Sequence, residues 1–266
     1  MNNEIVKKYL AKLNINENIQ TIEDISNLMC LHQKTFPFSS LKVLLKKEIS
    51  LNLEDIYDSL IEKKQGAYCF EHNKLFYEVL KELGFDVDFY LARVVNNTDN
   101  EVPQTHRFTL LNFENEKYLI DVGIGFRSPC IPVKFTKEFS FSHLGFSYRV
   151  IKEDNVYLLQ SKKEDKIFTM TKFDLNRCYE SDFELAHFYS HKHSNAIFVN
   201  NLVLSLINEK EIRSLRNNEY FKIYENYQEK STFNCFDEFK SILSSDFNIS
   251  FSDEELKLLY NKYSRI

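Results

Sequence analysis

Residues 65–76 read QGAYCFEHNKLF: a Gly-Ala-Tyr turn, a single cysteine, and the opening of an amphipathic run. From Cys69 onward, Phe70, Phe76, Val79, Leu80 and Leu83 share one side of a helix, and Gly84 is a natural residue to end it. The segments before it are helical by period as well. TIEDISNLMCLHQKTF (21–36) spaces Ile22, Ile25, Leu28, Met29 and His32 at helical intervals, and LNLEDIYDSLIEK (51–63) has Asn52 as its N-cap. After Gly84 the period drops to two. DVDFYLARVV (86–95), HRFTLLNF (106–113), KYLIDVGI (117–124), GFSYRVIKE (145–153), VYLLQSK (156–162) and KIFTMTKF (166–173) read as strands, with ENE (114–116) as a hairpin turn. A helix-like SDFELAHFYS (181–190) precedes further strands, NNLVLSLI (200–207), EIRSLR (211–216) and EYFKIYE (219–225). Closing helices follow, the last opened by a capping box from Ser252 to Glu255. The expectation is an α+β chain of three abutting lobes: helical (1–84), β (85–190) and mixed α/β (191–266).

Composition bounds what such a chain does. With 266 residues, 43% hydrophobic and 15% aromatic, it can bury a sizeable core and is not a disordered chain. A net charge of −5 gives no basic face for a polyanion, so no nucleic-acid partner is expected. No apolar run is long enough to cross a membrane, and MNNEIVKKYLAKL lacks the apolar centre of a signal peptide, so a cytoplasmic protein is expected. Five scattered cysteines without a C-x-x-C pair indicate neither a disulfide framework nor a zinc site, which leaves each thiol free.

Only five glycines occur, where average usage would give roughly eighteen. Three of them, Gly66, Gly123 and Gly125, fall in the turn before Cys69 and in YLIDVGIGF (118–126), which marks both stretches as candidate site walls. Cys69 stands at a helix start, where unpaired N–H groups and the macrodipole favour thiolate over thiol. His106 begins one strand and Asp121 ends the strand paired with it by a tight turn, so the two should be close. Nucleophile, base and base-orienter are then all present. Each also has an ordinary reading: Cys69 as core packing, His106 as a strand residue, Asp121 as turn chemistry before glycine. His72, three residues after Cys69, is a weaker candidate for the base because a helical neighbour has little freedom to serve a substrate. His187, His191 and His193 have ligand-like spacing, but neither helix nor strand geometry aims all three together, and no metal is expected.

These stretches resemble the arylamine N-acetyltransferases, whose nucleophile lies in R-G-G-x-C-x-E-x-N, histidine in a T-H segment and aspartate in D-x-G-F-G. Here they read QGAYCFEHN, QTHRF and DVGIG in the same order, with further likeness in KKYLAKL, FPFSSL, LNLEDIYDSL, LGF, ARV, DFEL and SNAIF. The resemblance covers roughly the first two hundred residues. It implies a papain-like thiol site across a helical bundle and an antiparallel β-barrel, with an α/β lid. Cys69 would be acetylated by acetyl-CoA and would pass the acetyl group to an aromatic amine or hydrazine by ping-pong chemistry, with His106 and Asp121 completing the triad. CoA would enter beside Val102, Pro103, Gln104 and Thr105, with Arg127 as the nearest cation for its phosphates. Phe38, Ile124 and Phe198 would line the acceptor pocket, and the protein would work as a monomer or homodimer. An amide-synthase-like acyltransferase of the same fold and a catalytically silent binding homologue are the alternatives.

The family pattern is not complete. Its Arg is Gln65, its second Gly is Ala67, the Glu-Asn of its I-P-F-E-N motif is Ser39-Ser40, and the Phe of D-x-G-F-G is Ile124. If position 67 required a positive φ, Ala67 would cost on the order of 1 kcal/mol and shift the thiol. If the family's Arg ties the catalytic turn to the Glu-Asn segment, losing both together leaves no charge buried without its partner.

Overall fold

The computed structural model describes residues 2–15, 18–98 and 100–264. Its first part is helical: α1 (Asn2–Lys12), α2 (Ile22–Thr35), a two-residue strand β1 (Phe38–Ser39), α3 (Leu41–Leu44), α4 (Leu53–Tyr57) continuing into a π-helical stretch Asp58–Glu62, and α5 (Cys69–Glu82). Helix α2 starts at a reciprocal cap. The Thr21 hydroxyl accepts the Asp24 amide at 3.1 Å while the Asp24 carboxylate accepts the Thr21 amide at 2.9 Å. Helix α5 ends as expected, with Gly84 at φ +86°. The apolar faces of these helices close around Tyr9, Ile25, Leu28, Met29, Phe76 and Leu80.

The middle of the chain is an eight-stranded antiparallel sheet built from β2 (Asp86–Val94), β3 (His106–Phe113), β4 (Glu116–Ile120), β5 (Val133–Lys134), β6 (Ser140–His143), β7 (Phe146–Glu153), β8 (Val156–Lys163) and β9 (Lys166–Phe173), in the order β5-β4-β3-β2-β9-β8-β7-β6. A bridge from Phe135 to Val150 brings the β5 edge round to β7, so the sheet nearly closes into a barrel. The β3–β4 turn places Glu114 and Asn115 at φ +50° and +63°, as a two-residue primed turn requires. It sets the register from Phe113↔Glu116 back to Thr109↔Ile120. That register carries His106 and Asp121 to the same end of the hairpin.

The last part comprises α6 (Glu180–Lys192), α7 (Ile197–Asn200), β10 (Val203–Ile207), β11 (Ile212–Arg216), β12 (Glu219–Ile223), β13 (Gln228–Thr232), α8 (Phe236–Ser241), a second π-helical stretch Ile242–Asp246, and α9 (Asp253–Tyr263). Its strands form a second sheet in the order β1-β10-β11-β12-β13, so β1, from the helical part of the chain, is its edge. The capping box of α9 forms: the Ser252 hydroxyl accepts the Glu255 amide and the Glu255 carboxylate accepts the Ser252 amide. No described helix is long and apolar enough to cross a membrane.

Three differences from the sequence reading have local causes. The strand expected over 117–124 stops at Ile120, because the Asp121 carboxylate turns back onto the Gly123 amide at 3.0 Å and the chain leaves the sheet. The two-residue β1 and β5 are too short to show a period. Strand β13 is exposed along its whole length, so no apolar alternation marks it.

Candidate active site

Segment 37–40 and the turn before Cys69 are laced together. Ser39 donates its amide to Ala67 O at 2.7 Å, and Ala67 donates to Pro37 O at 3.2 Å. On its other side β1 pairs with β10, Phe38 opposite Ser205. Gly66, at φ +68°, is required twice over: its conformation is left-handed, and a Cβ there would lie 2.5 Å from Ser39 Cβ. Ala67 is not among the left-handed residues, so the strain anticipated for it does not arise. Ser40 ties this corner to the third part of the chain, its hydroxyl donating to Asn201 O at 3.0 Å and accepting the Val203 amide at 2.9 Å.

Cys69 is the first residue of α5 and is only 3% exposed. Gly123 packs directly on it. A Cβ at Gly123 would lie 2.9 Å from Cys69 Cα and 3.2 Å from His72 Cβ, so only glycine lets the loop approach the helix start this closely. His106 Nε2 and Asp121 Oδ2 are 2.6 Å apart, and the Cys69 sulfur lies 3.8 Å from the carbonyl of Thr105, the residue before His106, close enough to raise the His106 pKa. Asn73 fixes the arrangement. Its Nδ2 donates to Asp121 Oδ1 at 2.9 Å and to Arg107 O at 2.6 Å, and its Oδ1 accepts the Val122 amide at 3.0 Å. One helix thus carries the thiol and, a turn later, the amide that holds both strands of the hairpin. All three triad residues expected from the sequence are brought together.

Burial opposes a charged His106, but the Asp121 carboxylate, its hydrogen bond and the contact with the Cys69 sulfur outweigh it and lift the pKa to about 10. His72 is different. Its Nε2 faces Pro37 O at 3.3 Å and can only donate there, so its Nδ1 accepts from His32 Nε2 at 2.8 Å and His32 Nδ1 accepts the Tyr9 hydroxyl at 2.8 Å. The chain is fully satisfied with both rings neutral, and burial pushes His72 down to about 4.

Beneath the turn lies a buried ion pair that the sequence reading did not anticipate. Lys42 pairs with Glu71 and donates to the Ser59 hydroxyl at 2.5 Å, and both charged side chains are nearly inaccessible. The second carboxylate oxygen of Glu71 accepts the Tyr68 amide at 3.4 Å. Gln65, where the resemblance has Arg, is half-buried and its amide donates to Ser59 O at 3.0 Å. Asn73 and Glu71 lay within the quoted motif, and Asn73 falls one turn from Cys69 on the same face, which was the available signal. Lys42 had none.

Phe38 and Phe198 meet beside Cys69, ring centroids 5.5 Å apart, in one apolar cluster with Tyr68 and Phe70. Ile124 instead packs at the edge of the barrel core, its amide donating to the Ser128 hydroxyl at 3.1 Å. In the 102–105 loop, Thr105 O lies 3.8 Å from the Cys69 sulfur, Val102 O accepts from Arg93, and Pro103 and Gln104 join them. Arg127 lies between the rings of Phe126 and Phe168, at 4.5 and 4.2 Å, on a separate cleft of about 550 Å³ that Lys163 and Lys166 also line. His187 receives the Tyr68 hydroxyl and donates to Ile49 O, and His191 bonds His187 O. Among the described residues no group of three or more His, Cys, Asp or Glu could hold a metal ion.

The family model for N-acetyltransferase matches residues 21–256. The arylamine N-acetyltransferase of Escherichia coli K12 is 35% identical over 190 residues, which are 70% of this chain and 67% of that one. The chain belongs to the arylamine N-acetyltransferase family. Another member, the arylamine N-acetyltransferase / N-hydroxyarylamine O-acetyltransferase of Salmonella typhimurium, is 32% identical over 173 residues, 65% of this chain and 62% of its own length. The solved Salmonella typhimurium arylamine N-acetyltransferase superposes with a TM-score of 0.90 at 25% identity, covering 96% of this chain and 97% of that one. The Mycobacterium marinum family member, solved in complex with CoA, shares the fold at a TM-score of 0.90 and 23% identity, covering 97% and 99% of the two chains. The α+β architecture of helices and antiparallel sheets is therefore the family fold, as the motifs implied.

Proposed function

We propose that this chain transfers acetyl from acetyl-CoA to an aromatic amine or hydrazine, with Cys69 as nucleophile, His106 as the proton carrier and Asp121 as its orienter. The observation that carries this reading is the His106–Asp121 pair at 2.6 Å beside the Cys69 sulfur, which lies 3.8 Å from Thr105 O, within a member of an acetyltransferase family. In the first half-reaction the sulfur attacks the thioester carbonyl, the bond from carbon to the CoA sulfur breaks, and His106 gives the departing thiolate its proton. In the second, the amine nitrogen attacks acetyl-Cys69, its proton passes to His106, and the Cys69 sulfur leaves. The amide of Cys69, at the first position of α5, has no acceptor among the described residues and is suited to receive the tetrahedral oxyanion.

The lobe from 1 to 84 supplies the thiol, that from 85 to 190 the His and Asp, and that from 191 to 266 the cover. Phe38, Ile124 and Phe198 form the acceptor walls, and Phe38 and Phe198, in contact beside the thiol, support this most strongly. The CoA thiol arm enters past Val102, Pro103, Gln104 and Thr105, and Arg127 meets a phosphate with Lys163 and Lys166 nearby. Intact-protein mass after mixing with acetyl-CoA tests the reading. It requires a single acetyl increment, absent in Cys69→Ser and discharged by an arylamine or hydrazine. An increment that survives the Cys69→Ser change, or one that no amine discharges, would refute it.

A further inference from the structure

The resemblance and the composition leave four cysteines without a role, and two of them, one hundred residues apart in sequence, are in contact. Cys30 is exposed on α2 and Cys130 is buried in the loop that follows Asp121. The Cys30 sulfur donates to Cys130 O at 3.2 Å. Gln33, one turn along the same face of α2, completes the contact. Its Nε2 donates to Pro129 O at 2.7 Å and its Oε1 accepts the Cys130 thiol at 3.8 Å. On the far side the Cys130 amide donates to the Ser142 hydroxyl at 2.9 Å. The Cys30 sulfur is thus held against a Cys130 backbone that is itself pinned, with the Cys130 thiol turned to Gln33 one turn along the same helix.

We propose that Cys30 and Cys130 form a reversible, peroxide-responsive dithiol that links α2 to the 122–130 loop. Cys30 reacts first because it is the exposed partner. The Cys30 sulfur attacks one oxygen of hydrogen peroxide, the O–O bond breaks, and the departing hydroxide takes a proton to give water and a sulfenic acid. The Cys130 sulfur then attacks the Cys30 sulfur and displaces hydroxide, which takes the Cys130 proton as a second water. Two thiols are oxidised and one peroxide is reduced. A thiol reductant restores the pair by exchange.

The consequence follows from what the loop carries. Gly123 rests on Cys69, Ile124 is held by Ser128, and the carbonyl of Arg127 accepts the Tyr148 hydroxyl at 3.1 Å. Drawing Cys130 onto α2 displaces Arg127, so oxidation weakens CoA binding several-fold. This half of the proposal rests on Arg127 meeting the CoA phosphates.

The test uses the full-length Cys69→Ser protein, which removes the competing thiol. After hydrogen peroxide the intact mass should fall by two hydrogens, and after alkylation and digestion a peptide pair joining Cys30 to Cys130 should appear and vanish with dithiothreitol. Adding Cys30→Ser or Cys130→Ser should each abolish it. Oxidation of Cys30 to sulfinic acid without a link, or a link to any other cysteine, would overturn the proposal. Calorimetric titration with CoA should show several-fold weaker binding by the linked protein. Equal affinity of linked and reduced protein overturns the regulatory half, whereas failure of the reduced protein to bind CoA at all would instead count against the reading of the site.

Discussion

Two buried imidazoles flank Cys69, His72 one turn along α5 and His106 at the start of β3, and their protonation is opposite. His106, whose Nε2 meets a carboxylate, is lifted to about 10. His72, whose neighbours are a carbonyl and another neutral ring, is pushed down to about 4. Burial acts on both in the same direction, so burial cannot be what separates them. The partner decides, because in a weakly screened interior a carboxylate at hydrogen-bond distance outweighs the loss of water and a carbonyl does not. The same fold therefore keeps one imidazole charged beside the sulfur and uses the other as a neutral strut.

The comparison breaks most severely at Asp121. Replacing Asp121 with Asn keeps the shape and removes the charge, and arylamine acetylation should fall by roughly 10³–10⁴-fold. A loss below about tenfold would mean that orientation alone suffices. Gly123→Ala attacks the closeness of the two regions. With a Cβ 2.9 Å from Cys69 Cα, either the loop or the helix start must move. The expected result is a rate loss on the order of 100-fold with a stability cost of about 1–3 kcal/mol, read by kinetics and chemical denaturation.

Stability against pH sharpens the contrast from both sides. The folded pKa of His106 is above its ordinary 6.5, so its contribution is full below pH 6.5 and is lost as pH rises towards about 10. That of His72 is below 6.5, so its contribution is full above pH 6.5 and is lost as pH falls towards about 4. At about 1.4 kcal/mol per pKa unit, the alkaline limb is worth on the order of 5 kcal/mol and the acid limb on the order of 3 kcal/mol. Asp121→Asn should flatten the alkaline limb only, and His72→Gln the acid limb only, in urea unfolding followed across pH. If either variant flattened the other's limb, the assignment would fail. Smallest is Tyr9→Phe, which leaves His32 Nδ1 without its donor and should cost about 1–2 kcal/mol while leaving the rate per folded molecule unchanged.

Much of this was legible beforehand because the signals were local. The helix after Cys69 and its stop at Gly84 follow from a 3.6-residue period and one glycine. The His106–Asp121 contact follows from a hairpin whose Glu114-Asn115 turn fixes its register. What stayed hidden depends on contacts between distant segments. The Lys42–Glu71 pair joins a short helix to α5 across twenty-nine residues, and a lysine in FPFSSLK carries no mark of being buried. The Tyr9–His32–His72 chain needs three helices in place before its donors and acceptors can be counted. The Cys30–Cys130 contact spans one hundred residues, and counting cysteines finds no framework there. At Ala67 the motif raised the question of a positive φ, and the backbone there is not left-handed.

The account turns on a charged His106 beside a neutral His72, and nitrogen-15 NMR of the histidine side chains reads both directly. At about pH 8, well above the free imidazole value, His106 should still give the two matched ring-nitrogen shifts of an imidazolium, while His72 shows the split pair of a neutral tautomer protonated at Nε2. A neutral His106 at that pH would contradict the account, whatever activity the protein displayed.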